Sequence, residues 1–351
     1  MTAVRKGRLA VLAPLAPSSL GQPEVDDWAS RARKVDLVAM PAAEAVERFN
    51  AGAVDLVQGG RLADFPLTRS VGILRGTIQI DPVIGLLGLQ VMDDKGFLAT
   101  PQNREALAMA IDRGKLMGVF GFGGWQPTSR VVAPGLDGDP GTVGERWQQQ
   151  TIDERRAIAS QRVHQWMAAQ SAAPPVSAPV SKAHAAPKSP AGSSPATPPT
   201  SAPPANGPHL SLWLVPGQGS DMLFDGLAAD LATIGVTLER AQEEKGADLV
   251  LVDTVARYPQ AQWFLDRLSC KASQGLCAPA ADALVEQADA ATDPAQRVAF
   301  LTQAEGELTG ANLYIPFGAP IRWSLVRGSV NGFAPNAWGW HPLLPLAWLP
   351  K

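Results

Sequence analysis

The stretch from Arg104 to Gly135, REALAMAIDRGKLMGVFGFGGWQPTSRVVAPG, carries the strongest structural signal in the chain. Leu107, Ala110, Ile111 and Leu116 recur at helical spacing and predict one buried face on a helix from Pro101 to Val119. Pro101 suits the first turn, where its missing N–H would have no intrahelical partner anyway. Gly121, Gly123 and Gly124 then end the helix in a loop that leads to Trp125.

Helices and strands alternate on both sides of this segment. Upstream, Ala42 to Asn50 reads as a helix with Ala45, Val46 and Phe49 on one face, and Val54 to Val57 as a short strand. Thr77 to Met92 is rich in Ile, Val and Leu and reads as strands broken near Asp81-Pro82 and Gly85. Downstream come a helix from Asp153 to Gln170, a strand from Leu210 to Val215, and a helix from Asp221 to Ile234 closed by Gly235. Strands follow at Val236 to Arg240 and Leu249 to Asp253, then helices at Ala278 to Ala290 and Pro294 to Leu308. Asp293 is placed to cap the second of these. Leu313 to Phe317 and Ile321 to Val326 are strands again. This alternation predicts an α/β fold that resumes after an insertion.

The insertion is visible in composition. From Ala168 to Pro208 the chain is almost entirely Ala, Pro, Ser and Thr, and eleven of its 31 prolines lie between Ser171 and Pro208. Such a segment buries too little apolar area to offset its chain entropy, so it predicts a disordered linker. The rest of the 351 residues is enough for two lobes or more, and a hydrophobic share of 46% supports a sizeable core. A net charge of −3 gives no electrostatic reason to bind nucleic acid. No run approaches the roughly 20 apolar residues that span a bilayer. Arg5, Lys6 and Arg8 before Leu9 to Ala16 imitate a secretory signal faintly, but Pro14 and Pro17 interrupt the run, which reads as the edge of a domain. Cys270 and Cys277 are compatible with a local disulfide or with two free thiols.

The sequence offers little for catalysis. Its histidines are His164, His184, His209 and His341, and no nucleophile elbow, zinc-protease pair, phosphate loop or dinucleotide fingerprint is present. No Cys/His spacing suits a metal, and nothing calls for a cofactor. The expectation is a non-enzyme.

Three segments together carry a family resemblance: Arg104 to Gly135, LFDGLAADLATIGVTLE from Leu223 to Glu239, and TDPAQRVAFLTQAEGELTGANLYIPF from Thr292 to Phe317. With FNAGAVDLV at Phe49 to Val57 they resemble the extracellular solute-binding proteins of family 5, the peptide-binding components of ABC importers. The resemblance implies a periplasmic-binding-protein-like two-lobe fold, type II, of the peptide-binding class, and N-terminally truncated, since such proteins carry a signal peptide and about a further third of chain ahead of this part. The implied layout is 1–75 as part of the first lobe, 76–167 and 209–316 as the second lobe around the linker 168–208, and 317–351 as the return to the first lobe. It further implies a monomeric substrate-binding component that takes peptides or a related small solute and delivers it to permease subunits. The location would be periplasmic, or cytoplasmic if Met1 is the genuine start. The alternatives are a non-binding remnant and the ligand-sensing domain of a regulator.

In the family an acidic residue in a W-x-x-D-Y-x-x-P segment receives the peptide amine. The matching stretch is DTVARYPQAQWF, Asp253 to Phe264, with Thr254 at the Trp position and Arg257 at the Asp position, while Tyr258 remains and Pro259 follows it directly. A cation there would repel an ammonium group, so the expected ligand is anionic or neutral. The candidate ligand-binding residues are Trp125, Thr254, Arg257, Tyr258 and Trp263, with Trp323 and Trp348 assigned to packing. Arg104, Asp112 and Arg113 are expected to cap or brace their helix, and Asp293 and Arg297 to form a surface pair.

Overall fold

A computed structural model describes residues 3–5, 9–72, 76–172 and 207–348. The bulk of the expected linker, 173–206, lies outside the described residues, and Ala168 to Ala172 belong to the helix that precedes it.

The first lobe begins with a small antiparallel sheet, β1 (Ala3–Arg5), β2 (Leu9–Leu12) and β3 (Val35–Val38). A single helical turn, α1 (Trp28–Arg31), lies between β2 and β3. Helix α2 (Ala42–Asn50) buries Val46 and Phe49, as its spacing requires. Strand β4 (Leu56–Arg61) follows, starting two residues later than expected, and leads into a 3-10 segment, Leu62–Ser70. Strand β5 (Ile78–Asp81) belongs to the same sheet as β4, through β11, although the layout implied by the resemblance counted 76 onward with the second lobe.

The second lobe is built on β6 (Gly85–Val91), whose seven residues are all buried. A strand buried along its whole length sits inside a sheet covered on both faces, and its one polar side chain, Gln90, donates to the Leu276 carbonyl. Two helices, α3 (Pro101–Ala110) and α4 (Arg113–Gly118), follow, then the long α5 (Ile152–Ala172). Past the linker, β7 (His209–Trp213), α6 (Gln218–Ala232) and β8 (Thr237–Arg240) form a parallel βαβ unit, and β9 (Leu249–Val255) pairs with β6 along all seven residues. Helices α7 (Ala261–Arg267), α8 (Pro279–Ala290) and α9 (Pro294–Ala311) precede β10 (Tyr314–Gly318). The sheet order is β10-β6-β9-β7-β8. The chain then returns to the first lobe as β11 (Arg322–Val326), which lies between β4 and β5, and ends in the short α10 (Leu343–Leu346).

The β4-β11-β5 sheet and the five-stranded sheet are therefore joined by two backbone crossings, 82–84 and 319–321. The lobes also share apolar surface: Val46, Phe49, Leu62 and Phe65 join Leu87, Leu107, Leu223 and Phe317 in one continuous core. Close approach at the start of α6 makes this possible, because a Cβ on Gly219 would stand 2.0 Å from the Leu62 carbonyl oxygen. Trp323 of β11 is 1% exposed, and its indole N–H donates to the Arg61 carbonyl at 2.8 Å.

The helix expected from Pro101 to Val119 is two helices. Ile111 is extended, and the Asp112 side chain restarts the helix by accepting from the Lys115 N–H. Asp competes well for such a cap position. The groups freed by the break are taken up by neighbours. The Asp112 N–H donates to Asp230 at 2.9 Å, and Arg156 donates to the Ala110 carbonyl at 3.0 Å and to Asp230 at 2.5 Å. Burial raises the Asp230 carboxyl above its ordinary pKa.

Arg104 and Arg113 brace the fold, as their place in the pattern suggested. Arg104 donates to the carbonyls of Ala311 and Leu98, and Arg113 to those of Pro316 and Ala108. Burial, aided by the nearby Arg155, pulls the Arg113 pKa down to about 10. The Asp293–Arg297 pair does not form. Asp293 caps α9 through the Ala295 N–H, while Arg297 binds Asp289 and Gln262, which face it from neighbouring helices. Cys270 and Cys277 form a disulfide in the connection between α7 and α8. No described helix is long and apolar enough to cross a membrane.

Replacing Trp323 by alanine removes the largest fully buried side chain and leaves a cavity beneath β4. We expect a loss of about 3–5 kcal/mol of stability, read by urea denaturation.

Candidate functional site

A cavity of about 520 Å³ opens where the two crossings pass. Its walls are Ile80 to Leu86 on the first crossing, Pro316 and Gly318 to Ile321 on the second, and the loop from Phe122 to Pro134. The loop is tied to the end of β10. The Thr128 N–H donates to the Phe317 carbonyl at 2.8 Å, and the Trp125 indole N–H to the Ala319 carbonyl at 2.9 Å. The Trp125 ring lies over Gly318, where a Cβ would meet Cζ2 at 2.3 Å. Only glycine lets the indole lie this close, so Gly318 sets the shape of that wall.

The acidic and basic side chains of the wall are held by protein partners, whereas the buried Tyr314 hydroxyl has none. Asp81 is 5% exposed; it accepts from the Asn336 N–H at 3.0 Å and lies 3.1 Å from His341 Nε2. Arg130 is buried between two carboxylates, donating to Asp139 at 3.0 Å and to Glu305 at 2.9 Å. Glu145 accepts from the Thr128 hydroxyl and from the N–H and hydroxyl of Ser129, all within 2.6 Å. Burial alone would raise the Asp139 carboxyl, but hydrogen bonds from Arg130 and from the Gly141 and Gly135 N–H groups hold it below the ordinary carboxylate value. Its share of stability is thus present at neutral pH and is lost as acid protonates it. Burial instead raises Glu305, against the pull of Arg130. Tyr314, also in the wall, is fully buried, and burial pushes its phenol well above the usual value.

A second, more polar cavity of about 240 Å³ lies between Arg61 to Asp64 and the face of β9, with Trp213, Glu244 and Arg267 around it. Asp253 of that wall accepts from Arg322 at 2.6 Å, and Arg322 follows Ile321 of the larger cavity. This ion pair joins β11 of one lobe to β9 of the other.

The residues singled out by sequence are dispersed. Trp125 lines the larger cavity and Thr254 the smaller. Arg257 is exposed and lines neither. Tyr258 is 38% exposed and its hydroxyl approaches Asp266 at 3.4 Å, away from both. Trp263 is a correction: at 7% exposure it packs against Phe264 within the apolar cluster under α7, α8 and α9. An indole facing inward on a short helix has no route to a ligand. Trp323 is core, and Trp348 packs on Trp28 and Arg31. The wall residues Asp81, Phe122, Arg130, Glu145 and Tyr314 were not singled out. The signal that could have found the cavity is proline between strands, at Pro82 and Pro320, where ladder hydrogen bonding must stop. Among the described residues no group of three His, Cys, Asp or Glu is placed to hold a metal ion.

No protein-family model matches the chain, and no curated protein does. Solved structures do match. The chain is similar to the OppA of Haemophilus influenzae in complex with RPPGFSPFR, with 15% identity, a TM-score of 0.67, and 91% of this chain aligned to 58% of that one. It is similar to the Escherichia coli murein tripeptide binding protein MppA, with 18% identity, a TM-score of 0.68, and 91% aligned to 58%. It is also similar to NikA of Brucella suis in complex with Fe(III)-EDTA, with 15% identity, a TM-score of 0.70, and 100% aligned to 67%. The fold is thus that of the two-lobe periplasmic binding proteins of the peptide-binding class. The chain spans 58% of the length of the first two.

Arg130→Ala would leave Asp139 and Glu305 buried without their cation. A loss of about 3–5 kcal/mol is expected in equilibrium unfolding, and Arg130→Lys should recover only part of it, because lysine cannot bridge both carboxylates with a planar fork.

Proposed function

We propose that the chain is the substrate-binding component of an ABC-type importer, taking a peptide or related small solute into the larger cavity and passing it to a membrane permease. One observation carries the reading: the cavity is walled by both inter-lobe crossings, so a guest there touches the two segments about which the lobes can close. The similar structures include OppA in complex with a peptide and a murein tripeptide binding protein, which supports a peptide or similar solute. The Cys270–Cys277 disulfide supports an oxidising compartment such as the periplasm. The Thr128 hydroxyl of the cavity wall is already bound to Glu145, and a role in holding rather than transforming the guest fits this reading. A monomer suits that role.

The reading is tested by thermal unfolding of the chain against a panel of di- and tripeptides and small solutes. A ligand at a hundred times its Kd adds about 2.7 kcal/mol, a shift of several degrees. The shift should vanish in Ala133→Trp, which fills the cavity from a half-buried position in its wall. If no solute moves the transition, the chain is not a solute-binding protein of this kind.

A further inference from the structure

We propose that the larger cavity selects an uncharged, predominantly apolar ligand. The inference rests on the solute-binding reading and narrows it. Three acidic or basic side chains reach the wall, and each already has partners inside the protein. Asp81 faces His341 and the Asn336 N–H. Arg130 is shared between Asp139 and Glu305. Glu145 accepts three hydrogen bonds from Thr128 and Ser129, and it lies in the field of the buried Arg113. None is left to meet a ligand ammonium or carboxylate.

The remaining wall is mostly hydrocarbon, and its other polar side chains, Gln126 and Tyr314, are uncharged groups that offer a ligand no counter-charge. Ile80, Val83, Ile84, Leu86, Phe122 and Ile321 contribute aliphatic and aromatic surface, and prolines at 82, 127, 134, 316 and 320 remove five backbone N–H donors from it. The Trp125 indole N–H is spent on the Ala319 carbonyl, so the ring offers carbon. A charged terminus entering here would shed its water and gain no counter-charge. Arg257 does not alter this, since it lines neither cavity. The expectation of an anionic or neutral ligand thereby narrows to a neutral one.

The test compares N-acetyl-leucyl-leucine amide with uncapped, zwitterionic leucyl-leucine by calorimetric titration of the whole chain. The capped form should bind at least ten-fold more tightly, about 1.4 kcal/mol. Ala319→Asp, which sets a carboxylate beside Trp125, should weaken the capped form ten-fold or more and narrow the gap to the free amine. Circular dichroism confirms that this variant folds, and the wild-type pair decides the question if it does not. Equal or tighter binding of the zwitterion overturns the inference and leaves the solute-binding reading standing. So does failure of both dileucine forms while another, charged solute of the panel binds. Failure of every solute removes both.

Discussion

The guanidinium of Arg322 joins what the chain's topology separates. It stands at the first residue of β11, just past the second crossing, and binds both the side chain and the carbonyl of Asp253 on β9. One lobe's central strand is thereby tied to a strand of the other lobe's sheet. The larger cavity lies beside this tie, and the smaller one includes its acidic half. A short, half-buried ion pair is a weak contributor to net stability, but its geometry is specific. Together with the two crossings and the shared apolar core, it holds the two sheets against each other beside both cavities.

The same economy recurs wherever backbone hydrogen bonding is interrupted. The break between α3 and α4 frees an N–H and a carbonyl, which Asp230 and Arg156 receive. The Pro316 carbonyl, where β10 prepares to leave its sheet, receives Arg113. The loop after Arg130 is gathered by one carboxylate, Asp139, which takes the guanidinium and the Gly135 and Gly141 N–H groups. Buried polar groups that lost their ladder partners are matched by side chains reaching from distant parts of the chain.

Much of the fold was legible because the relevant signals are local. The buried face of α2, the apolar run of β6, the Asp293-Pro294 start of α9 and the turn at Gly235 each follow from neighbouring residues. The misreadings were of tertiary origin. The apolar pattern from Leu107 to Leu116 runs through the Ile111–Asp112 break because both short helices face the same core, and periodicity cannot register a restart that keeps its phase. The Asp293 and Arg297 spacing suits a pair along one helix, yet Asp289 and Gln262 offered Arg297 partners on neighbouring elements. The site was less legible. Trp125 could be placed in a loop, and nothing local showed that Gly318 would receive its ring. Trp263 looks like an accessible aromatic until α8 and α9 cover it.

By itself the sequence determined the α/β alternation, most of the longer helices and strands, the position of the compositional linker and the family likeness. These rest on interactions within a turn of helix or along a strand. The neutralisation of the cavity wall, the dispersal of Thr254, Arg257 and Tyr258, and the tie between Arg322 and Asp253 were decided only in the tertiary structure. Each depends on whether a charge meets a partner far away in sequence (175 positions apart for Arg130 and Glu305), and sequence spacing does not encode that distance.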